Sequence, residues 1–404
     1  MSSPAWMSQV PLLPRVPLPT MTTRRWRYAL VVGAVITGIV LILDAATVFS
    51  EQPLTKQYYT SAKELLTPCP EWCEVDPFRQ PGMLHWSPSG ADNETRWLPF
   101  PSADYEWDAQ APSSDLPHTD EIPAQAWLAA PKQYTALLER FKPTTEGEWQ
   151  DWTPPRDLNW LRNRTVILIG SSHDRNNNDQ MCEIIGGKKG SWGGHSGGYC
   201  YHEGLDLLVA NWFLYGMIDS DDGWPHGEEH PFPFEDRFEK IMIPQMTKLG
   251  YEKRVPDLVI ASSLFWDEKF LDERGRDKTV DRKSAHGFWW NELAWFRGRV
   301  RKLVETVREM WPHTPVMFRT RQLRSSVDNF HLLTIFQLDQ GLRALGKELG
   351  VRLFTWGDKL EGYNVYYDND QHFAKGPNTY LFGDMLLFYL HRAVTPGCWQ
   401  CQKE

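Results

Sequence analysis

The chain has 404 residues, of which 41% are hydrophobic and 24% are charged, a balance typical of a globular protein rather than a disordered one. Lys and Arg number 43 against 52 Asp and Glu, and the formal net charge of −9 argues against a nucleic-acid-binding protein. The mean hydropathy of −0.49 excludes a protein with many membrane spans but allows a single one. The 20 Trp residues indicate mainly buried structural rings, although exposed Trp rings also stack on sugars.

One candidate membrane span lies near the N-terminus. Residues 28–43 form an uncharged apolar run, and a helix of that length covers roughly 24 Å. The segment before it contains several Arg and no acidic residue, so the positive-inside rule orients it with the N-terminus in the cytosol. We therefore predict a cytosolic tail over 1–27, a signal anchor over 28–49 and a lumenal remainder in the Golgi or endoplasmic reticulum. A cleaved secretory signal is the alternative, but the sequence around Asp44 is a poor cleavage site.

The cysteines agree with a lumenal location. All six follow the predicted span, and an even number of cysteines in an oxidising compartment favours disulfides. Six cysteines allow 15 pairings, and closeness along the chain favours Cys182–Cys200, Cys69–Cys73 and Cys398–Cys401. The last pair has the spacing of a redox motif, but it lies at the C-terminus without strand–helix context, so a structural bridge is the better interpretation.

Two Asn residues have the Asn-x-Thr pattern of glycosylation acceptors. They are Asn93, in Asn-Glu-Thr, and Asn163, in Asn-Arg-Thr. Such acceptors are used only in lumenal or extracellular segments. The two sites are therefore predicted to carry glycans if the lumenal orientation holds.

A change of pattern near residue 159 divides the predicted lumenal part. Residues 50–158 are rich in Pro and Trp and predict a stem followed by an irregular region, whereas residues 159–404 predict an α/β domain. Apolar strand patterns alternate with amphipathic helical patterns there, which indicates a mostly parallel sheet with its active site beyond the carboxyl ends of the strands. The predicted strands are 164–170, 255–262, 314–320 and 351–356, and the predicted helices are 292–310 and 329–349.

Two segments about 200 residues apart contain candidate catalytic groups. The first strand ends in Gly170-Ser-Ser-His-Asp-Arg-Asn176, where a Ser could be presented beside backbone N–H donors. The second segment, Tyr367-Asp-Asn-Asp-Gln-His-Phe373, precedes the predicted C-terminal helix and supplies a His with nearby carboxylates. Such a His could act as a general base oriented by an acid.

Taken together, the two segments resemble the motifs of the GDSL/SGNH hydrolase superfamily. The resemblance is closer to its PC-esterase branch, which includes the trichome birefringence-like proteins, related glycan O-acetyltransferases and fungal membrane proteins. It covers roughly residues 160–395. Pro256-Asp-Leu-Val-Ile260, followed by Phe265-Trp266-Asp267, and Phe318-Arg-Thr320 fit the middle blocks of the pattern.

The resemblance implies a three-layer α/β/α domain and a Ser-His-Asp site. Ser172 would be the nucleophile and His372 the base, with Asp370 or Asp368 orienting the imidazole. Oxyanion or substrate contacts would come from the Ser172 N–H together with four further side chains: Ser262, Ser263, Arg175 and Asn176. The implied partners are a glycan and an acyl donor, with no cofactor and no metal. Water as the final acceptor would give an acetylesterase, and a sugar hydroxyl would give an O-acetyltransferase.

The sequence departs from the family pattern at three positions. Ser171 stands where Asp is usual, so the carboxylate that braces this turn is absent from that position. Ser262 or Ser263 replaces an Asn oxyanion donor, and Asn369 takes the place of the Asp three residues before His372. These changes favour, as one alternative, a catalytically inactive glycan-binding protein on the same fold.

Two acidic motifs suggest other enzyme classes. Asp219-Ser-Asp221 and Asp368-Asn-Asp370 match the Asp-x-Asp of metal-dependent glycosyltransferases, a pattern that short acidic loops also produce by chance. His226-Gly-Glu-Glu-His230 has the spacing of a zinc peptidase motif. That motif requires a helix, and the Pro residues on both sides favour a solvated loop instead.

Overall fold

The computed structural model describes residues 69–87, 89–100, 122, 124–143, 152–221, 228–262, 264–274, 287–323, 325, 329–363, 368 and 371–401. These residues belong to one compact unit, Pro68–Glu404. The predicted tail over 1–27 and the predicted span over 28–49 lie outside them. Within the described ranges, no helix combines the length and the apolar character needed to cross a membrane.

Nine strands and ten α-helices, numbered separately in chain order, form the described part of the chain. The strands are β1 (Gly82–His85), β2 (Arg96–Pro99), β3 (Thr165–Gly170), β4 (Lys188–Ser191), β5 (Gly197–His202), β6 (Leu207–Phe213), β7 (Leu258–Ala261), β8 (Val316–Arg319) and β9 (Arg352–Phe354). The helices are α1 (Glu71–Glu74), α2 (Ala124–Ala129), α3 (Tyr134–Phe141), α4 (Ser172–Ile185), α5 (Phe234–Arg237), α6 (Ile243–Lys248), α7 (Leu264–Arg274), α8 (Trp290–Met310), α9 (Asn329–Leu349) and α10 (Pro377–Val394).

Seven of the strands form one mostly parallel sheet in the order β4-β5-β6-β3-β7-β8-β9. Strand β3 lies at its centre and pairs in parallel with both β6 and β7, and β8 and β9 continue the parallel part. Strands β4 and β5 add an antiparallel edge. The fold is therefore α/β with a mostly parallel sheet, as predicted. The strands predicted at 164–170, 255–262, 314–320 and 351–356 are β3, β7, β8 and β9, four of the five described parallel strands, and the fifth is β6.

Apolar side chains of β3 alternate between two cores, one on each face of the sheet. Ile167 and Ile169 belong to one core, and Val166 and Leu168 belong to the other. Because both sides of a central parallel strand are buried, nearly every residue in it must be apolar. Helices α8 and α9 contribute to the first core, and α3, α4 and α10 contribute to the second.

The long helices follow the predicted periodicity. Helix α8 buries Phe296, Val300, Leu303, Val304 and Val307, which lie three or four residues apart and so share one face. Helix α9 ends before Gly350, whose φ of 63° is the left-handed conformation that glycine adopts without strain.

The sequence pattern did not reveal the antiparallel edge of the sheet. Residues 188–213 contain Gly-rich and polar stretches, and they form β4, β5 and β6. The predicted disulfide between Cys182 and Cys200 is confirmed, and it joins α4 to β5. Gly187 packs against this bridge so closely that a Cβ there would lie 2.7 Å from both sulfur atoms.

The other two predicted disulfide pairs are wrong. Cys69 is bonded to Cys401, and Cys73 is bonded to Cys398, across sequence separations of 332 and 325 residues. The prediction relied on closeness along the chain, but the start and end of the compact unit lie side by side, with Cα–Cα distances of 5.6 and 5.2 Å at the two bridges. Arg392 of α10 strengthens this junction by donating hydrogen bonds to the carbonyls of Cys73, at 2.6 Å, and Val75, at 3.1 Å.

Candidate active site

The turn between β3 and α4 requires glycine at its first position. A Cβ at Gly170 would lie 2.0 Å from Oδ2 of Asp174 and 2.9 Å from the carbonyl oxygen of Ser262. The chain then enters α4 with Ser171 as the N-cap and Ser172 as the first helical residue. Ser172 therefore lies at the carboxyl end of the central strand and at the N-terminus of a 14-residue helix.

A buried ion pair braces this turn. Asp174 accepts a hydrogen bond from the Ser171 N–H at 3.1 Å, closing a capping box with Ser171. The Arg319 guanidinium at the end of β8 binds both carboxylate oxygens of Asp174, at 2.6 and 3.0 Å, and both side chains are almost fully buried. The turn thus has a carboxylate brace, supplied by Asp174, although Ser171 stands where the usual acid would be.

His173 also holds the turn. Its Nδ1 lies 3.1 Å from Oγ of Ser171, and its ring centroid lies 5.3 Å from that of His372. The ring is 4% exposed, so it is a buried wall of the turn. His173 therefore helps to hold the turn that presents Ser172.

Ser172 and His372 meet across the 200 residues that separate them. Nε2 of His372 lies 2.9 Å from Oγ of Ser172, a hydrogen-bond distance and within the range expected for a nucleophile and its base. His372 reaches this position because it lies just before α10, which packs directly on α4. The predicted contact is present; the catalytic role of the pair stays a prediction.

The surroundings of His372 favour its neutral form. Burial lowers the pKa of His372 below its usual value, the nearby Arg175 cation lowers it further, and Asp368 opposes both effects. A neutral imidazole can accept the Ser172 proton. Asp368 itself is exposed, and its N–H donates to the His372 carbonyl at 2.9 Å. Asp370 and Asn369 lie outside the described residues, so the orienting role predicted for Asp370 is untested.

The serine–histidine pair opens into a cleft of about 540 Å³. Arg175, one of the residues predicted to contact the substrate, lines the cleft and donates a hydrogen bond to the Gly194 carbonyl at 2.9 Å. Aromatic rings and charged groups form the remaining walls, namely His195, Glu228, Phe265, Trp266, Glu268, Lys269, Asp272, Phe330, His331 and Gln371. The mixture of ring faces and hydrogen-bonding groups is typical of a site for a small polar ligand.

Two His–Glu pairs in these walls were missed by the sequence analysis. His195 forms a short contact to Glu228 through Nδ1, and the Tyr215 hydroxyl donates to the same carboxylate at 3.2 Å. His331 Nδ1 lies 3.3 Å from Glu268 Oε1. Each pair joins residues 33 or more positions apart, and His195 lies in a Gly-rich loop with no motif around it. Only the Phe265-Trp266-Asp267 block had marked this region of the sequence.

The predicted oxyanion role of Ser262 is not supported. Its side chain borders a small apolar cavity together with Met217, Leu264 and Phe296, and not the cleft. Its Oγ is buried without a hydrogen-bond partner among the described residues. The chain passes directly from β7 into α7, and this connection leaves Ser262 against the apolar layer of α8. Ser263 lies outside the described residues.

Asn176, unlike the adjacent Arg175, does not line the cleft among the described residues. It is half-buried on α4. A substrate contact from Asn176 is therefore not supported. Of the four side chains predicted to contact the oxyanion or the substrate, Arg175 alone among those described faces the cleft.

The acidic motifs that suggested metal chemistry have other contacts. Asp219 accepts a hydrogen bond from the Trp295 indole at 3.2 Å, and Asp221 accepts one from the Phe232 N–H at 2.7 Å. Glu228 pairs with His195, as described above, and His230 lies 3.3 Å from Asp221. His226 lies outside the described residues. No group of three or more His, Cys, Asp or Glu suited to hold a metal ion occurs among the residues with described positions.

Comparisons with known proteins give only distant structural likenesses. No protein-family model matches the sequence, and no curated protein is significantly similar to it. A candidate GDSL-like lipase from Parabacteroides merdae is 11% identical with a TM-score of 0.35, over 57% of this chain and 96% of its own. The acetylxylan esterase Axe2 from Geobacillus stearothermophilus is 13% identical with a TM-score of 0.34, over 57% and 95%. A member of the lipolytic G-D-S-L family from Veillonella parvula is 11% identical with a TM-score of 0.32, over 56% and 98%.

Proposed function

We propose that this chain is a serine-dependent acyl-ester enzyme whose nucleophile is Ser172 and whose general base is His372. The observation that carries the proposal is the 2.9 Å contact between Ser172 Oγ and His372 Nε2 at the mouth of a cleft. A glycine, a capping box and a buried ion pair in the β3–α4 turn fix the position of Ser172. Such support is typical of a side chain whose location must be accurate.

The geometry supports a two-step acyl transfer. Ser172 Oγ attacks the carbonyl carbon of an ester, its proton passes to His372 Nε2, and the electron pair of the carbonyl bond moves to the oxygen. The tetrahedral intermediate collapses, the C–O bond to the alcohol breaks, and His372 returns the proton to the leaving alkoxide. Water or a sugar hydroxyl, deprotonated by His372, then attacks the carbonyl carbon of the acyl-Ser172 ester. The C–O bond to Ser172 breaks, His372 returns the proton to Ser172 Oγ, and the acid or the new sugar ester is released.

The N-terminus of α4 suits the developing oxyanion. Ser172 is the first residue of the helix, where N–H groups lack carbonyl partners within the helix and the helix dipole favours negative charge. Arg175 adds a cation at the edge of the same cleft. The helix dipole would therefore support the Ser172 N–H in place of the second oxyanion donor that was expected from Ser262.

A glycan is the proposed substrate. Trp266, Phe265, Glu228 and Asp272 line the cleft together with Ser172. Aromatic rings stack on sugars, and carboxylates accept hydrogen bonds from sugar hydroxyls. The proposal includes the PC-esterase type of site and a lumenal location behind an N-terminal anchor, which the motifs and the Arg-flanked apolar run support. Acetyl transfer to a sugar hydroxyl and acetyl-ester hydrolysis are the two outcomes of the same acyl-enzyme.

The test uses a serine-directed fluorophosphonate and an acetyl ester with the full-length protein. The wild type should be labelled on Ser172, and Ser172→Ala should abolish both labelling and ester cleavage. His372→Ala should lower ester cleavage by about 10³-fold or more, because the serine then lacks its base. Ser191→Ala, which changes an exposed serine on β4, is the matched control and should behave as wild type. Equal labelling of the wild type and Ser172→Ala would overturn the proposal.

A second candidate, an inactive glycan-binding protein, is favoured by one observation. Ser262 does not face the cleft, so one expected oxyanion donor is absent, and such a donor is worth about 10²–10³-fold in rate. Acetylated and deacetylated xylo-oligosaccharides distinguish the two functions. An enzyme releases or transfers acetate from the first, whereas a binding protein retains either ligand unchanged.

A further inference from the structure

A second and larger cavity lies beside β9, at the edge of the sheet opposite to the antiparallel strands β4 and β5. It has a volume of about 930 Å³ and lies between the segment around Asp76–Gly82, strand β2 and the edge strand β9 with the end of α9. It shares no lining residue with the Ser172 cleft. Its volume is within the range of small-molecule sites, although neither candidate catalytic residue reaches it.

The lining of this cavity carries an excess of positive charge. Five cationic side chains line it against two carboxylates, Asp76 and Asp358. Asp358 is bound by Arg343 at 2.6 Å, and Asp76 accepts hydrogen bonds from the Tyr389 hydroxyl and the Phe78 N–H, both at 3.1 Å. The four remaining cations are Arg79, Lys347, Arg352 and Lys359. None of them forms an ion pair with a carboxylate in the described part of the chain. This concentration of positive charge occurs in a protein of net charge −9.

Lys359 is the least compensated of these cations. It is 7% exposed, and its Nζ lies 3.8 Å from the centroid of the Trp97 ring. No hydrogen bond or ion pair of this ammonium group to a described residue is present. Burial lowers the pKa of Lys359 to about 8, and Asp358 and Asp76 oppose that change. Burying an ammonium group without an anion is costly, so an anion beside Nζ would stabilise the charged form.

Arg352 also has a charged group that an anion in this cavity would stabilise. Its Nη1 is buried without a hydrogen-bond partner among the described residues, while Nη2 donates to the Trp399 carbonyl. The guanidinium lies 4.5 Å from the centroid of the Trp399 ring. A planar guanidinium with an unused N–H edge is suited to the oxygens of a carboxylate or phosphate.

We propose that this cavity binds a small ligand bearing a carboxylate or phosphate group, with Lys359, Arg352 and Arg79 as its counter-ions. Trp97 and Phe100 provide ring faces on the lining, and Phe100 is 55% exposed. These faces suit the body of a ring-containing ligand such as an acidic sugar or a sugar phosphate. The proposal does not depend on the acyl-ester chemistry of Ser172.

Calorimetric titration of the full-length protein tests the site. The probes are inorganic phosphate, D-glucuronate and the neutral control D-glucose, each at low and high salt. We expect saturable binding of phosphate or glucuronate that weakens as salt increases, and no binding of glucose. Preference for phosphate identifies a phosphate ester as the ligand class, and preference for glucuronate identifies a uronic acid.

Variants locate the binding. Lys359→Gln should weaken anion binding by about tenfold or more, and Arg79→Gln, at an exposed position of the rim, should weaken it without disturbing the core. Lys240→Gln removes an exposed lysine on another part of the molecule and should bind as wild type. Ser172→Ala should also bind as wild type, which separates this site from the proposed catalytic site.

Two results would overturn the proposal. One is the absence of saturable binding of either anion to the wild type, and the other is wild-type affinity in both Lys359→Gln and Arg79→Gln. Labelling of Lys359 by an amine-directed reagent in the wild type gives an answer that does not depend on the folding of a variant. The bound anion should raise the pH at which Lys359 becomes reactive, and an unchanged profile at saturating anion would also contradict the site.

Discussion

At the residue scale, the protonation state of His372, whose Nε2 lies 2.9 Å from Ser172 Oγ, governs the proposed chemistry. Only the neutral imidazole accepts the Ser172 proton, so activity is present above the pKa of His372 and is lost as pH falls through it. Burial first, and Arg175 second, lower that pKa below its usual value. Activity should therefore persist into mildly acidic solution.

Arg175→Gln tests this electrostatic effect. Removing the guanidinium removes one of the two influences that lower the pKa of His372, so the acid limb of the kcat/KM profile should move to higher pH. Lys240→Gln, which alters a remote cation, should leave the limb in place. A limb that stays fixed or moves to lower pH in Arg175→Gln would contradict the assigned effect of this residue.

The Arg319–Asp174 pair is the second residue-scale feature with a measurable consequence. Both partners are almost fully buried, and removing one leaves the other as an uncompensated charge. Arg319→Gln should lower the free energy of unfolding by about 3–5 kcal/mol in denaturant titrations. It should also lower ester cleavage, because the turn that presents Ser172 loses its brace.

An exposed arginine provides the control for that measurement. Arg301 pairs with Glu348 on the surface, and Arg301→Gln should leave the unfolding midpoint nearly unchanged. If Arg319→Gln and Arg301→Gln had the same midpoint, the buried pair would not brace the fold. Activity loss without loss of stability would assign Arg319 to positioning alone.

At the element scale, helix α4 links the proposed nucleophile at its N-terminus to a disulfide near its C-terminus. The bridge from Cys182 to Cys200 closes a loop of sequence separation 18 and ties α4 to the antiparallel edge of the sheet. In the chain-entropy description, a loop of this length contributes about 3 kcal/mol by restricting the unfolded chain.

The double variant Cys182→Ala/Cys200→Ala should therefore unfold with about 3 kcal/mol less stability than the wild type under oxidising conditions. Gly187→Ala is a companion variant that keeps both cysteines but places a Cβ 2.7 Å from their sulfur atoms. It should also be destabilised, because the backbone or the bridge must shift. Wild-type stability in both variants would show that this connection contributes little.

At the scale of the whole molecule, two bridges fasten the first described residues to the last. Cys69–Cys401 and Cys73–Cys398 enclose nearly the whole compact unit. Peptide mapping without reduction should recover one cross-linked species that contains residues 69–73 and 398–401. Recovery of these two segments as separate peptides, each with an internal bridge, would contradict this arrangement and restore the pairing by sequence proximity.

The lumenal orientation has its own test at this scale. The described structure leaves Asn93 and Asn163 exposed, so both acceptors are accessible to glycosylation. If residues after the predicted anchor enter the lumen, an endoglycosidase should increase the gel mobility of the protein. The double variant Asn93→Gln/Asn163→Gln should show no such change. An unaltered mobility of the wild type, with protease access to the chain in intact microsomes, would place it in the cytosol.

Local patterns were sufficient for four of the five described parallel strands and for the two long helices between them. Strand β3 could be recognised because a central parallel strand must be apolar on both faces, and α8 and α9 could be recognised because each buries one stripe. The Gly170-Ser-Ser and Asp-Gln-His segments identified Ser172, after a strand, and His372, before a helix, because both segments resemble the motifs of one superfamily. Strands β4 and β5 were not recognised, since glycines and polar residues there weaken the alternation on which strand prediction depends. The parallel strand β6 that follows them was not recognised either.

Tertiary structure alone decided the partners of the candidate residues. The terminal cysteines, Ser262, Arg319 and His195 are visible in the sequence, but the residues that they contact in space are not. Disulfide pairing depends on which segments the fold brings together, and the closing of the compact unit brought Cys69 to Cys401. Likewise, the exit from β7 turned Ser262 toward an apolar layer, while the order of strands in the sheet brought Arg319 to Asp174. Chemistry that acts within a few residues can be read from local sequence, whereas contacts across hundreds of residues arise only when the whole chain packs.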